Sequence, residues 1–267
     1  MSLKIKDIQD IMEQYAPLYL KESYDNVGLM VGDSESIVKN ILVALDCTLE
    51  VIQEAKRRKC NLIVTHHPLL FRKPSSITTD TILGRKIIEL IKNDISLYSS
   101  HTNLDSTENG LNDIVAKLMG LKNIKIIDDN KLNPKAGIGR IGDLKEDITL
   151  SSLCYKVKEI LNVSTLRYSG EDNVKIRKIA IINGSGESYF NKAKALGAQC
   201  IITGDTTYHH VSDLLEENIP VIDAGHFHTE WPALIKVYEY LKNKIEIKGY
   251  NNRIFLSQNS KSPYKYK

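Results

Sequence analysis

The residues most able to do chemistry are seven histidines that fall into four short segments. The segments hold His66 with His67, His101, His209 with His210, and His226 with His228. Each lies just past the carboxyl end of a predicted strand. Ligands bind at that edge of an open α/β sheet, because loops converge there while the strands hold them rigid. A single histidine is more often a hydrogen-bonded structural residue, but this shared placement favours a metal or catalytic site.

The adjacent pair His66 and His67 suits the binding of two ions. Neighbouring side chains at the tip of a strand point to opposite sides, so each imidazole can reach a different ion. Pro68 disfavours the helical conformation for His67, which helps to fix this divergence. The pair therefore predicts ligands to two metal ions.

Two carboxylates each follow a histidine by four residues: Asp105 follows His101, and Glu230 follows His226. Two divalent cations about 3.5–4 Å apart repel each other, so a bridging carboxylate between them is needed. Glu230 falls at the start of a long predicted helix, a fixed position that suits a shared ligand. The pattern predicts two divalent ions held by His66, His67, Asp105, His226 and Glu230. Imidazole and carboxylate donors suit zinc, iron or manganese.

The elements that must position these residues alternate between strand and helix, which is typical of a parallel or mixed sheet covered by helices. An amphipathic helix is predicted over the first fifteen residues or so. Further helices are predicted at 49–59, 82–92, 108–119, 189–196, 208–217 and 231–243. Strands are predicted at 40–46, 61–65, 95–99, 178–183, 199–203 and 220–223. The glycine-, asparagine- and lysine-rich stretch 130–142 is predicted to be a connector or an exposed turn.

The second half of the chain repeats the order of the first, which indicates a duplication. The segment ending Thr65-His66-His67 aligns with the one ending Thr203-Gly204-Asp205, and His101 to Asp105 aligns with His226 to Glu230. We therefore predict two α/β repeats, at 1–127 and 128–267, with a C-terminal segment able to pack back on the first repeat.

The composition excludes several other classes of protein. The 267 residues are 42% hydrophobic and 26% charged, and a net charge of +3 is too small to indicate binding to nucleic acid or a membrane surface. No apolar run approaches the roughly 20 residues that span a bilayer, and there is no signal-peptide pattern. Four widely separated cysteines argue against a disulfide framework or a thiolate zinc site. We expect a cytoplasmic protein.

Five segments resemble the signature sequences of the Nif-three-like dinuclear metal family, whose bacterial members are labelled GTP cyclohydrolase I type 2 homologues. They are DNVGLMVGD, VTHHPLLF, SSHTNLD, ITGD and DAGHFHTE, and they run from Asp25 to Glu230. The resemblance implies two intertwined α/β repeats with mixed sheets, a metal site between the repeats and a toroidal homohexamer. It implies the short form, without an inserted domain. It also implies that His67, Asp105 and Glu230 hold one ion, and that His66, His226 and Glu230 hold the other.

Two functions follow as hypotheses. The first is a metal-dependent hydrolase acting on a nucleotide-like or phosphate-bearing small molecule, because a metal pair activates water and stabilises charge on the attacked centre. The alternative is a non-catalytic metal-binding ring that serves as a metal store, metal chaperone or scaffold. Fold and motif do not separate the two, because function belongs to the site.

The remaining candidates receive secondary roles. His101 is a candidate metal ligand or a proton carrier beside the metals, and the second role is favoured, since five ligands suffice for two ions that keep open positions. His209, His210 and His228 fit structural and substrate-pocket roles equally well. Asp46 is interpreted as a helix cap. The turn Asn183–Gly186 looks like a phosphate cradle, but an ordinary tight turn is favoured because G-x-G-x-x-G is missing.

Overall fold

The computed structural model describes residues 2–265, which divide into two compact units. Within the described residues, the first unit comprises residues 2–104 and 234–261, and the second comprises residues 105–233 and 262–265. The proposed repeat boundary at residues 127 and 128 stays a prediction, since units defined by packing need not coincide with sequence repeats.

The strands form two mixed sheets, one in each unit. In chain order they are β1 (Gly28–Val31), β2 (Asn40–Ala44), β3 (Leu62–Thr65), β4 (Ser96–Ser99), β5 (Lys122–Asn130), β6 (Asn133–Thr149), β7 (Arg167–Tyr168), β8 (Lys175–Ser185), β9 (Cys200–Gly204), β10 (Val221–Asp223) and β11 (Arg253–Leu256).

The helices precede the first strand or lie between strands in the chain. They are α1 (Ile5–Tyr15), α2 (Leu49–Arg57), α3 (Ile82–Lys92), α4 (Thr102–Ser106), α5 (Leu111–Leu118), α6 (Leu150–Leu161), α7 (Phe190–Ala195), α8 (Tyr208–Glu216) and α9 (His226–Ile247), with short 3-10 turns at Leu18–Leu20 and Glu187–Tyr189. The predicted amphipathic helix at the N-terminus is confirmed, since α1 buries Ile5, Ile8, Ile11 and Met12. None of the helices within residues 2–265 combines the length and the apolar character needed to cross a lipid bilayer.

The first sheet has the strand order β1-β4-β3-β2-β11. Strands β2, β3 and β4 run parallel to one another, and β1 runs antiparallel to β4. The carboxyl ends of the three parallel strands therefore meet at the edge where β1 begins. The C-terminal strand β11 pairs in parallel with β2 and completes this sheet. Its core packs apolar residues of the central strands against α2, including Leu42, Ile63 and Ile52.

The second sheet has the order β5-β6-β8-β9-β10-β7. Strands β8, β9 and β10 are parallel, whereas β5, β6 and β7 pair antiparallel with their neighbours. This arrangement again collects three carboxyl strand ends at one edge. Apolar residues such as Ala180, Ile201 and Phe190 form its core. Two mixed sheets with covering helices confirm the predicted α/β fold class.

The prediction of a connector or an exposed turn at 130–142 is wrong for most of that stretch. Residues 133–149 form β6, which pairs with β5 on one side and β8 on the other, and only the turn after Asn130 connects strands. Glycine suits the tight pairing here, since a Cβ on Gly137 would lie 2.1 Å from the Asp128 carbonyl oxygen. The low strand propensity of this stretch is overridden by hydrogen bonding on both sides.

Candidate metal centre

Three imidazoles meet at the carboxyl edge of the first sheet. His66 and His67 follow β3, and His101 follows β4, which is the neighbouring parallel strand. Their candidate ligand atoms all lie within 4.8 Å of one another. The ring centroids of His66 and His67 are 5.0 Å apart, and those of His66 and His101 are 5.1 Å apart. We call His66, His67 and His101 the histidine group; its donors are those of a divalent-metal site.

Each imidazole of the histidine group has its Nδ1 atom next to an oxygen. His66 Nδ1 lies 2.9 Å from the Ser100 carbonyl oxygen, and His67 Nδ1 lies 2.8 Å from Asp46 Oδ1. His101 Nδ1 lies 2.9 Å from Asp25 Oδ1. Metal-binding histidines characteristically donate one ring N–H in this way, which fixes the tautomer and directs coordination to Nε2. The arrangement fits a bound cation.

Asp25 reaches His101 because β1 runs antiparallel to β4 and begins beside its carboxyl end. Burial raises the pKa of Asp25, but the hydrogen bonds from His101 and Thr102 outweigh that effect and hold the pKa at about 2. The carboxylate accepts from Thr102 N at 3.0 Å and Thr102 Oγ1 at 2.5 Å. Asp25 is therefore ionised at neutral pH, which makes His101 Nδ1 the donor of their hydrogen bond.

The second unit presents a histidine and a carboxylate on the first turns of α9. His226 Nε2 lies 3.2 Å from Glu230 Oε1. His226 Nδ1 lies 2.7 Å from Oδ2 of Asp205, which follows the neighbouring strand β9. The Glu230 side chain is only 4% exposed. A buried carboxylate beside an oriented imidazole is a donor pair that suits a cation.

Gly184 makes room for the Glu230 carboxylate. The backbone of Gly184 has a φ of +63°, and an added Cβ would lie 2.3 Å from Glu230 Oε1 and 3.2 Å from His226 Nε2. The Gly184 amide donates to Thr229 Oγ1 at 3.0 Å, and Thr229 lies on the same turn of α9. The tight turn predicted at Asn183–Gly186 is wrong, because Asn183, Gly184 and Ser185 belong to strand β8. Gly184 there leaves space for the Glu230 carboxylate, so the glycine serves close packing rather than a phosphate cradle.

Asp105 lies on the short helix α4, and its backbone is held from the second sheet. The Asn112 amide donates to the Asp105 carbonyl oxygen at 3.2 Å, and its oxygen accepts from Asn183 N at 3.0 Å. Asn112 itself is buried, so this link is shielded from water. The link ties Asp105 to the end of β8, where Gly184 also lies.

Arg140 holds the residues after Asp105 from the centre of β6. It is 2% exposed and forms an ion pair with Asp113. Its Nη2 atom lies 3.4 Å from the carbonyl oxygens of Ser106 and Thr107. A buried arginine stays charged, so these oxygens and Asp113 together compensate its burial. Sequence analysis missed Arg140 because it placed the residue in an exposed connector.

The other three histidines, His209, His210 and His228, contact residues outside the histidine group. His210 Nδ1 lies 2.9 Å from Glu187 Oε2, and His209 packs edge-on against Tyr208. Burial lowers the pKa of His228, whose ring packs against Phe227. Structural and pocket roles for these three histidines stay predictions.

The prediction that Asp46 caps a helix is wrong. Thr48 caps α2 by accepting from Val51 N at 3.1 Å, while Asp46 orients His67. Asp25 orients His101 and Asp205 orients His226 in the same way. Neither role was predicted from the sequence. The available signal was that both lie in segments that resemble the family's signature sequences, DNVGLMVGD and ITGD, but a short segment does not reveal which histidine its aspartate contacts.

Comparison with known proteins agrees with this architecture. A protein of Clostridium acetobutylicum named GTP cyclohydrolase 1 type 2 homolog is 52% identical over 268 residues, with each chain fully covered. The crystal structure of a Bacillus cereus protein related to NIF3 matches with a TM-score of 0.94 at 25% identity, and a Staphylococcus aureus hypothetical protein with 0.92 at 32%. Both matches cover 100% of each chain. The family model Duf34/NIF3 (NGG1p interacting factor 3) matches residues 3–263, and the chain belongs to this family.

Proposed function

We propose that the protein binds two divalent metal ions and uses them to hydrolyse a nucleotide-like or phosphate-bearing small molecule. The observation that carries the proposal is the histidine group, in which two proposed ligands, His66 and His67, lie beside the proposed proton carrier His101. One ring nitrogen of each lies within 4.8 Å of the other two, and each Nδ1 atom lies next to an oxygen. The name GTP cyclohydrolase 1 type 2 homolog of the relatives supports a purine-nucleotide substrate.

The proposed ligands are His66, His67, Asp105, His226 and Glu230, with Glu230 shared between the ions. Support comes from each unit by itself: Asp46 orients His67 in the first, and Asp205 orients His226 in the second. The imidazole and carboxylate donors suit zinc, iron or manganese. Such ions supply Lewis acidity and lower the pKa of water that they bind.

His101 is the proposed proton carrier. The ionised Asp25 carboxylate accepts from its Nδ1, so the lone pair of the neutral ring is on Nε2. One ring nitrogen of His101 lies within 4.8 Å of ring nitrogens of His66 and His67. An imidazole oriented by a buried carboxylate is a common general acid–base pair. His101 would therefore transfer a proton at Nε2, while Asp25 orients it.

Metal analysis and a substrate screen on the same preparation test the proposal. We expect close to two metals per chain after loading with zinc, manganese or iron, and turnover of at least one nucleotide or phosphoester. A metal content that stays below one per chain would remove the dinuclear site. Two bound metals without turnover across nucleotides, GTP included, would instead favour the non-catalytic metal-binding ring.

Assembly into a closed homohexamer and residence in the cytoplasm belong to the same proposal. Light scattering decides the first, with an expected mass six times the 30.2 kDa of the chain. A stable mass near 30 kDa would contradict it. The four cysteines are buried free thiols, which is compatible with a reducing compartment.

A further inference from the structure

Two exposed aromatic rings form a continuous edge beside His101. Phe71 lies 6.2 Å from the His101 ring in an edge-on arrangement, and Tyr24 lies 6.3 Å from Phe71. Tyr24 is 61% exposed and Phe71 is 44% exposed. We call Tyr24 and Phe71 the aromatic platform. Large rings left exposed next to a candidate catalytic residue are characteristic of a binding surface.

The aromatic platform is held in place by the same contacts that orient His101. Asp25, directly after Tyr24, accepts from Thr102 and lies against His101. The Glu22 amide donates to Thr102 Oγ1 at 2.9 Å. The Asn26 side chain donates to the carbonyl oxygen of Leu70, which precedes Phe71, at 2.8 Å. A ligand that stacks here therefore meets a preorganised surface, which reduces the entropy lost on binding.

Exposed positive charge on the Phe71 side of the aromatic platform favours an anionic ligand, while the Asp25 carboxylate beside Tyr24 is buried and hydrogen-bonded to Thr102. Arg72 and Lys73 follow Phe71 and are exposed, and the segment from Pro68 to Thr79 contains no acidic residue. The histidine group, which Phe71 contacts through His101, contains the proposed metal ligands His66 and His67. A ligand that satisfies both features has a planar ring and a negatively charged group, which is the chemistry of a nucleotide.

We propose that the aromatic platform binds the base of a nucleotide substrate and so directs its phosphate-bearing part toward the histidine group. This inference rests on the proposed function and narrows its substrate class. Stacking of a base on an aromatic side chain is sequence-tolerant, so the aromatic platform selects for a heteroaromatic ring rather than for one base.

Calorimetric titration of the metal-loaded full-length protein tests this proposal with two probes, GMP and ribose 5-phosphate, which lacks the base. We expect wild-type protein to bind GMP more tightly than it binds ribose 5-phosphate. Phe71→Ala should weaken GMP binding by about 5- to 150-fold, the range for loss of one stacking contact. It should leave ribose 5-phosphate binding unchanged, and Phe71→Tyr should retain the affinity for GMP.

Ile77→Ala is the matched control, because Ile77 is a 50% exposed apolar residue of the same loop. If Phe71→Ala lost affinity for both probes equally, the proposal would be overturned. Equal affinities of Phe71→Ala and Ile77→Ala for GMP would overturn it as well. Wild-type protein that binds GMP no more tightly than ribose 5-phosphate would overturn it too. Elemental analysis of the same samples tests the metal proposal separately. A low metal content would contradict that proposal, while the change in affinity for GMP relative to ribose 5-phosphate still decides this one.

Discussion

Replacing Gly184 by alanine is expected to weaken metal binding by displacing the Glu230 carboxylate. The added Cβ would lie 2.3 Å from Glu230 Oε1, closer than real Cβ contacts allow, and 3.2 Å from His226 Cε1 and Nε2. The carboxylate must therefore move, or the end of strand β8 must shift. Changes beside a ligand typically cost 10–100-fold in metal affinity, and we expect a loss of at least about 10-fold here.

The backbone contributes a second effect that must be separated from the first. Gly184 has a φ of +63°, and a residue with a side chain in the left-handed region costs roughly 1–2 kcal/mol. Gly197 is the matched control, because it has a φ of +85° but the nearest atoms to an added Cβ, on Lys178, are 4.0 Å away. Both alanine variants should lose similar stability without metal, whereas only Gly184→Ala should lose metal affinity.

Urea unfolding of the metal-free variants and calorimetric metal titration measure the two effects. Circular dichroism confirms that both variants are folded before titration. Equal metal affinities in Gly184→Ala and Gly197→Ala would refute the argument, because the Glu230 carboxylate would then not be a ligand whose position matters.

Four further expectations concern the metal ligands, the proton carrier and two buried charges. Glu230→Gln should weaken the binding of both ions together, while His226→Ala should empty mainly one site. If calorimetry shows that Glu230→Gln loses one ion alone, Glu230 is a terminal ligand. His101→Ala should keep both metals by elemental analysis and lower turnover, so loss of an ion would make it a ligand instead. Arg140→Met should reduce the free energy of unfolding in urea by about 3–5 kcal/mol, because it leaves a buried carboxylate without its cation; a loss below about 1 kcal/mol would contradict this. Burial raises the pKa of Glu54, but hydrogen bonds from the C-terminal segment and a neighbouring arginine lower the pKa overall. The ionised Glu54 carboxylate therefore stabilises the folded protein above its unfolded pKa of about 4.5, and this stabilisation is lost as the pH falls. Wild-type protein should therefore lose more stability than Glu54→Gln on acidification from pH 7, and parallel urea curves for the two would contradict this.

The order of helices and strands follows closely from local sequence. The helix predicted at 82–92 matches α3, and the strands predicted at 40–46 and 61–65 contain β2 and β3. The helix has a clear apolar periodicity and the two strands are short, almost continuous apolar runs, and such local patterns indicate which residues of an element are buried. Strand β6 had no such signal, since pairing on both sides stabilises a glycine-rich strand only after its neighbours have formed. Helix α6 was not predicted, although its buried residues Leu150, Leu153, Val157 and Leu161 recur at helical spacing.

The sequence by itself also identified the residues with metal-binding chemistry. The histidine group could be proposed because His66, His67 and His101 follow predicted parallel strands, and such strands end at one edge. The structure brings these three imidazoles together. The five-residue ligand set and its division between two ions stay predictions.

Only the tertiary structure decided how those residues are oriented. Asp25 is 76 residues from His101 in the chain, and Asp205 is 21 residues from His226. Arg140 reaches the carbonyl oxygen of Ser106 across 34 residues. Such pairs depend on strand order and register, which are set by the packing of whole sheets and not by any local pattern. The sequence therefore determined which groups can bind a metal, and the fold determined which carboxylates orient them and where the backbone makes room.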